Sequence, residues 1–207
     1  MKKYNQLLIA LGIVFLAIPS LANAQVVKKM YFNVDWQINS PLGQSFADKT
    51  SGWGAQSEAG WYLTPNIAIG AFIGYHTNNK YIERQTLPLS STSAVTSDQQ
   101  HSIFRLPFGA VLRYNLAPKS QFQPYFGTQL GTNYSEMSTY MNVLKVYDRN
   151  WGFHISPEIG MNAYFTSNKT FGIHVATYYS YSTNKGDVLT YSINGLNNWG
   201  VRLGLMF

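Results

Sequence analysis

The sequence of 207 residues contains no cysteine and few charged residues. Without cysteine, no disulfide can stabilise the fold and no lipid-modified cysteine can anchor the chain to a membrane. Charged residues make up 12% of the sequence, and no basic run is longer than a pair of lysines. The chain therefore lacks the basic surface that a nucleic-acid-binding protein needs.

Only one long apolar run is present, and it lies near the N-terminus. Lys2 and Lys3 precede the apolar residues 7–18, and the small residues Ala22 and Ala24 follow. Twelve apolar residues are too few for a transmembrane helix, which needs about 20. The pattern predicts a cleaved secretory signal peptide over residues 1–24 and a single domain over residues 25–207. Two of the fifteen basic residues lie in the signal peptide, so the domain has thirteen against nine acidic residues, a net charge of +4.

Alternation of apolar and polar residues recurs eight times along the chain. Side chains alternate between the two faces of a strand, so this period of two predicts strands. The eight predicted strands are residues 30–39, 53–63, 67–76, 102–115, 123–134, 151–165, 170–181 and 198–207. No segment has the 3.6-residue period of an amphipathic helix, and the predicted class is all-β.

The two faces of the predicted strands differ in the size of their side chains. One face carries large apolar residues, such as Phe32, Val34 and Trp36 in the first strand. The lumen of an eight-stranded barrel has room only for closely packed side chains, whereas a solvent-facing surface has no need of glycine. The pattern therefore favours a membrane barrel with its apolar face outward. The polar face carries most of the strand glycines, among them Gly60, Gly70, Gly109, Gly131, Gly160 and Gly204.

The connections between the predicted strands alternate in length. Residues 64–66, 116–122 and 166–169 are short, whereas residues 77–100 and 135–150 are long and polar. Outer-membrane barrels have short periplasmic turns and longer extracellular loops. Aromatic residues also recur eight positions apart on the apolar face, a spacing that climbs roughly 20 Å and predicts a girdle at each interface. The predicted girdle pairs are Trp53 with Trp61, Phe126 with Tyr134, Phe171 with Tyr179, and Trp199 with Phe207.

A resemblance to a known family rests on five segments: GWYLTPNIAIGAFIGY, FRLPFGAVLRYNL, PYFGTQLGTNY, SPEIGMNAYFTSN and NNWGVRLGLMF. They resemble the OmpA-like and OmpX-like outer-membrane barrels, and most closely the outer membrane protein beta-barrel domain group of Bacteroidetes-type bacteria. The resemblance implies a closed, antiparallel, up-and-down transmembrane β-barrel of eight strands in the Gram-negative outer membrane. The last strand resembles the signal that the barrel-assembly machinery reads, which makes that machinery an expected partner. The residues that carry this likeness are Trp199, Gly200, Val201, Leu203, Leu205 and Phe207.

Charged residues of both signs fall on the predicted inward face. A charge buried in a narrow lumen must be paired or hydrated, so the balanced set predicts an interior network of ion pairs. We expect Arg202 on the last strand to lie beside Asp35 on the first, with Glu58 one strand further. The network is expected to plug the lumen, and a gate that exchanges partners is the alternative. The six residues are Asp35, Glu58, Arg105, Arg113, Glu158 and Arg202.

Catalytic and metal sites have little support in the sequence. His154, Ser156 and Glu158 share one face, which superficially resembles a His-x-Ser arrangement in a deacylase family. Residues two apart on a strand lie about 6.5 Å from each other, which disfavours contact between nucleophile and base. His76 and His174 are expected to be interior or rim polar residues. No cluster has metal-ligand spacing, and no cofactor is expected.

The expected function is structural or in surface interaction, and no enzymatic activity is expected. The expected surroundings are outer-membrane lipid and lipopolysaccharide, with an extracellular partner reached through the polar loops and no nucleic acid. The chain is expected to be a monomer. A narrow channel for ions or small solutes is the alternative function, and a lipid-modifying hydrolase is the third. An extra hairpin within residues 80–95 or in TYMNVLKVY would give ten strands instead of eight.

Overall fold

The protein is described by a computed structural model over residues 30–88, 90–142, 144–166 and 168–207. The predicted signal peptide, residues 1–24, lies outside the described residues. Among the described residues, no helix is long and apolar enough to span a membrane. The described chain forms eight strands: β1 (Met30–Leu42), β2 (Gly54–Tyr62), β3 (Ile67–Pro88), β4 (Ala94–Asn115), β5 (Phe122–Met141), β6 (Leu144–Tyr164), β7 (Gly172–Val188) and β8 (Tyr191–Met206).

The eight strands close into an antiparallel up-and-down barrel, as predicted. Each strand pairs with its neighbours in sequence, and β8 pairs with β1. The β1–β8 seam runs from Asn33 opposite Met206 to Leu42 opposite Asn197. Below it, Phe32 and Phe207 exchange two backbone hydrogen bonds of 3.0 and 2.8 Å. The closed ladder gives every strand two partners and leaves no free sheet edge.

Burial alternates along the strands with the predicted period of two. In β1, Tyr31, Asn33 and Asp35 are buried, whereas Phe32 and Val34 are each 43% exposed. The buried set is mostly polar and lines the lumen, and the exposed set is mostly apolar and faces outward. Because the exposed large side chains are aliphatic and aromatic around the whole ring, the outer surface matches the hydrocarbon of a bilayer.

The strands extend further than the sequence predicted, and the prediction of long loops at residues 77–100 and 135–150 is wrong. The β3–β4 ladder continues from Thr77 opposite Phe104 to Pro88 opposite Ala94. The β5–β6 ladder continues to Met141 opposite Leu144. These extensions meet water on their outer face, so the ladder persists without the apolar alternation that marks a membrane strand.

The alternative of ten strands is wrong for the described chain. Residues 80–88 belong to β3, and TYMNVLKVY contributes to the ends of β5 and β6. Both segments lengthen strands that already belong to the ring. The hairpin between β5 and β6 turns at Asn142, which has a φ of 53°. Asparagine tolerates this left-handed conformation better than most residues.

Candidate functional site

The lumen is crossed by a network of buried ion pairs, which we call the charge network: Asp35, Glu58, Tyr125, Gln129, Glu158, Arg113, His174 and Arg202. Arg113 on β4 contacts Glu58 at 2.6 Å and Glu158 at 3.5 Å. Arg202 on β8 pairs with Glu158 and donates to the Gln129 side-chain oxygen at 3.2 Å. Each side chain of these ion pairs is at most 3% exposed. Arginine suits this role because one planar guanidinium can bridge two acceptors.

A chain of short hydrogen bonds links the two sides of the charge network. The Tyr125 hydroxyl donates to Glu158 at 2.8 Å and contacts Nε2 of His174 at 2.6 Å. Nδ1 of His174 contacts Asp35 at 2.6 Å. Tyr125, His174 and Asp35 thus form one continuous chain of contacts that runs from Glu158 on β6 to Asp35 on β1.

The expected contact between Arg202 and Asp35 is wrong. In the β1–β8 register, Arg202 lies opposite Gln37, and Asp35 lies opposite Gly204. Arg202 instead reaches the β6 carboxylate of Glu158, and Asp35 is bound by His174 from β7. The offset of two residues in the seam register, together with the small diameter of the barrel, decides these partners.

Three inward tyrosines each lie over a glycine on the neighbouring strand. Tyr31 is opposite Gly60, Tyr125 is opposite Gly160, and Tyr178 is opposite Gly200. A Cβ atom on Gly160 would lie 2.6 Å from the Tyr125 ring. The glycines therefore provide the space in which the rings lie flat against the wall, as in the aromatic covering of glycines in other β-sheets.

The tyrosine rings in turn support the arginines. The Arg113 guanidinium lies 4.9 Å from the centroid of the Tyr31 ring and 4.3 Å from that of Tyr125. The Arg202 guanidinium lies 4.0 Å from the centroid of the Tyr178 ring. Cation–π contact is favourable in a desolvated site, so glycine, tyrosine and arginine form one packed layer across the lumen.

Arg105, the sixth predicted interior charge, is not brought into the charge network. It is buried on β4, but it forms no ion pair with any carboxylate among the described residues. Its buried position agrees with the inward face that the alternation predicts.

The extracellular mouth is covered by the loop between β1 and β2, residues 43–53, which we call L1. Phe46 of L1 is 1% exposed and stacks on His101 with the ring centroids 4.2 Å apart. Lys80 ties L1 to β3, because its ammonium donates to Ser45 O at 2.8 Å and to Asp48 at 2.7 Å. This hydrogen bond from Lys80 lowers the pKa of Asp48, so the pair remains charged at neutral pH.

An apolar cluster at the extracellular mouth joins L1 to the strand ends below it. Its buried members are Phe46, Ala47, Ile103, Met137, Val188 and Leu196. The alternation of apolar and polar residues does not indicate this cluster. The signal was the pair Phe46-Ala47, an apolar dipeptide in an otherwise polar loop, together with inward apolar residues at the upper ends of β4, β5, β7 and β8.

The catalytic arrangement considered for His154, Ser156 and Glu158 is not formed. Nδ1 of His154 contacts the Ser182 hydroxyl at 3.0 Å, and Glu158 is bound by Arg202 and Tyr125. The Ser156 hydroxyl has no hydrogen-bond partner among the described residues. Within the described ranges, no group of three or more His, Asp or Glu side chains could hold a metal ion. These three residues therefore contain no nucleophile–base contact of the kind that acyl transfer needs.

The predicted girdle residues lie at two levels on the outer wall. Seven of them are exposed; at the periplasmic level, the Phe171 and Phe207 ring centroids lie 5.5 Å apart. At the extracellular level, Tyr179 pairs in register with Trp199, and Tyr134 packs on Trp151 with centroids 5.2 Å apart. The periplasmic level contains Trp61, Phe126, Phe171 and Phe207, and the extracellular level contains Trp53, Tyr134, Tyr179 and Trp199.

Above the extracellular girdle, the outer wall of β5 and β6 carries a cluster of charges. Lys145 and Arg149 both bind Glu136, at 2.5 and 2.7 Å. The Arg149 guanidinium also lies 4.6 Å from the centroid of the Tyr147 ring. The hydrogen bond to Glu136 raises the pKa of Lys145, so both cations are charged at neutral pH. One carboxylate shared by two cations gives the cluster a net positive charge.

The role of the last strand in assembly stays a prediction. Trp199, Val201, Leu203, Leu205 and Phe207 all face outward, as the alternation predicted. Arg202 and Gly204, between them, face the lumen, where a Cβ on Gly204 would lie 2.3 Å from the Asp35 carboxylate. The outward face is therefore available to hydrocarbon or to another protein, and the inward face is committed to the charge network.

The geometry agrees with comparisons to known proteins. Residues 8–207 match the family model described as "Outer membrane protein beta-barrel domain". No curated protein matches the chain in sequence.

Solved structures share the fold at low sequence identity. Neisserial surface protein A (NspA) is 15% identical with a TM-score of 0.54, and the match covers 86% of this chain and 95% of NspA. OprG from Pseudomonas aeruginosa is 12% identical with a TM-score of 0.46, covering 88% and 96% of the two chains. The outer membrane protease OmpT from Escherichia coli is 10% identical with a TM-score of 0.47, covering 90% and 99%. At 15% identity, the likeness to NspA shows the fold alone.

Proposed function

The chain belongs to the outer membrane protein beta-barrel domain family, and from that premise we propose that it is a closed barrel with a structural and surface-interaction role. It lies in the outer membrane of a Gram-negative cell. One observation carries the proposal: Arg113 bridges carboxylates from two strands in the middle of the lumen. A solute path would have to break desolvated ion pairs, which is costly because each released charge loses its partner. A conducting barrel is the alternative function.

The extracellular extensions of β3 and β4 support the surface role. Beyond Thr77, β3 and β4 continue as a paired ladder up to Pro88 and Ala94. Eleven further residues at about 3.3 Å each correspond to roughly 30 Å of hairpin, allowing for strand tilt. Paired strands lose less entropy on binding than mobile loops do, so this polar hairpin is a suitable platform for an extracellular partner.

Lipopolysaccharide is the partner that the outer wall fits best. Lys145 and Arg149 bind Glu136 on the extracellular side of the aromatic pair Tyr134 and Trp151, and we expect this level to meet the lipid headgroups. Cations just beyond an aromatic girdle attract anionic headgroups. The phosphates of lipid A lie at that level, and the shared carboxylate of Glu136 holds both side chains in place without neutralising both.

A lipid-binding comparison tests this role. We expect the barrel to bind vesicles that contain bis-phosphorylated lipid A more tightly than vesicles with the dephosphorylated lipid. The double variant Lys145→Ala/Arg149→Ala should lose about tenfold or more in affinity for the phosphorylated lipid, because each cation near an anionic surface contributes to binding. The measurement is flotation of the refolded protein with each vesicle type.

The matched control is Lys185→Ala, which removes an exposed lysine from the extracellular part of β7. This variant should bind phosphorylated lipid A like the wild type. Equal binding of the double variant and the wild type would show that the cluster does not contact the headgroups, and the lipopolysaccharide proposal would be withdrawn.

A further inference from the structure

Arg105 is a buried cation for which the chain supplies no counter-charge. It is 2% exposed, and its Nε has no hydrogen-bond partner among the described residues. All nine acidic residues of the sequence lie within the described ranges, and none of them forms an ion pair with Arg105. A charge in a lumen of low dielectric constant needs a partner of opposite sign or ordered water.

The carboxylates of the lumen already have other partners. Asp35 contacts Nδ1 of His174 at 2.6 Å. Glu58 pairs with Arg113, and Glu158 pairs with Arg202. None of the three lumen carboxylates therefore forms an ion pair with Arg105, which is left as a buried cation without a counter-charge beside it.

Polar side chains without hydrogen-bond partners share the lumen with Arg105. His76 lies opposite Arg105 in the β3–β4 ladder, and neither of its ring nitrogens has a partner among the described residues. The Tyr178 hydroxyl is likewise unpartnered and lies within Coulombic range of Arg105. Ser180, two residues further along the same face of β7, also has a free hydroxyl within the described chain. Hydroxyl and imidazole N–H groups are the donors that a small anion takes in addition to a guanidinium.

Arg105 lies between two closed levels of the lumen. His101 and Ile103 pack beneath Phe46 of L1, and Arg105 is the next inward residue. Arg113, in the charge network, lies eight residues further toward the periplasm. A ligand at Arg105 would therefore lie between L1 and the charge network, and a large or extended molecule would have to displace one of them.

We propose that the lumen binds one halide-sized monovalent anion, held by Arg105 and the hydroxyl and imidazole donors of Tyr178, Ser180 and His76. Its single charge balances that of Arg105, and its small size suits a position between L1 and the charge network. In the outer membrane, chloride is the available anion of this class.

Bromide is the probe that locates the site. Crystals of the refolded barrel grown in sodium bromide should show an anomalous peak within about 3.5 Å of the Arg105 guanidinium, the distance of a charge-assisted contact to a halide. Ordered water at that position, with no anomalous signal, would overturn the proposal. This measurement uses the wild-type chain and does not depend on how any variant folds.

Thermal unfolding shows whether the anion belongs to the folded protein. Replacing sodium gluconate by sodium chloride at equal ionic strength should raise the unfolding temperature by about 3 °C, the shift expected for a roughly fivefold change in the folding equilibrium of a chain of this length. Arg105→Gln should lose the difference between the two salts, whereas the exposed variant Arg84→Gln should retain it. A bromide peak without a chloride effect would mean an adventitious ion only, and the proposal would fail.

Discussion

Replacing Arg113 with methionine is expected to lower the free energy of unfolding by about 3–5 kcal/mol. The variant removes a guanidinium that contacts Glu58 at 2.6 Å and Glu158 at 3.5 Å, all within a fully buried layer. Methionine fills much of the volume of the Arg113 side chain, so the main loss of stability is electrostatic. Glu58 then has no cation, and the cost is that of an uncompensated buried charge rather than of one hydrogen bond.

Denaturant unfolding of the barrel in lipid vesicles measures this effect. The double variant Glu58→Gln/Arg113→Met should be more stable than Arg113→Met alone, since it removes the charge that the single variant leaves unpaired. Arg149→Met, at an exposed cation, should change stability little, because solvent screens surface ion pairs. If Arg113→Met unfolded at the same denaturant concentration as the wild type, the charge network would not stabilise the barrel.

The second large effect on stability is expected at a glycine of the inner wall. Gly160→Ala should destabilise the barrel by about 1–3 kcal/mol, the range for overpacking a close-packed interior. The added Cβ would lie 2.6 Å from the ring of Tyr125, which is 0% exposed. Hydrogen bonds to Glu158 and His174 hold the ring at its hydroxyl, so it cannot move aside without breaking the charge network.

A double-mutant cycle isolates this contact. In a Tyr125→Ala background, Gly160→Ala should cost much less than in the wild type, since the clash is gone. Gly186→Ala is the matched control, because the nearest atom to its added Cβ is the flexible Met137 sulfur at 3.2 Å. Additive costs for Gly160→Ala and Tyr125→Ala would refute the packing of tyrosine on glycine.

The sequence predicted the fold because one face of each strand contacts lipid and the other a narrow lumen. Trp36 and Asp35 are adjacent in sequence and were assigned to opposite faces by the period of two alone. The same rule assigned Arg105, Arg113 and Arg202 to the lumen. Glycines such as Gly160 indicated the faces as well, since only a crowded interior requires a missing side chain.

The contacts within the lumen could not be predicted in the same way. Arg202 binds Glu158 rather than Asp35 because the partner depends on the seam register and on the distance across the ring, which are long-range properties. The extended strands beyond Thr77 lack an apolar face and therefore resemble loops in sequence. Phe46 closes the extracellular mouth because of the way L1 folds over it. The dipeptide Phe46-Ala47 is too short to show a periodicity, so the sequence does not indicate where Phe46 packs.

The closed lumen is tested most directly by single-channel recording. Refolded wild-type protein, with its folding verified by heat-dependent gel mobility, is inserted into a planar bilayer and recorded beside Lys80→Met and Arg113→Met. We expect no unitary current from the wild type or from Lys80→Met, because the charge network remains intact beneath a loosened L1. Intermittent steps are expected only when Arg113→Met is combined with Lys80→Met, because L1 still covers the mouth in Arg113→Met alone. Reproducible unitary steps from the wild-type barrel would contradict the account and make this chain a channel.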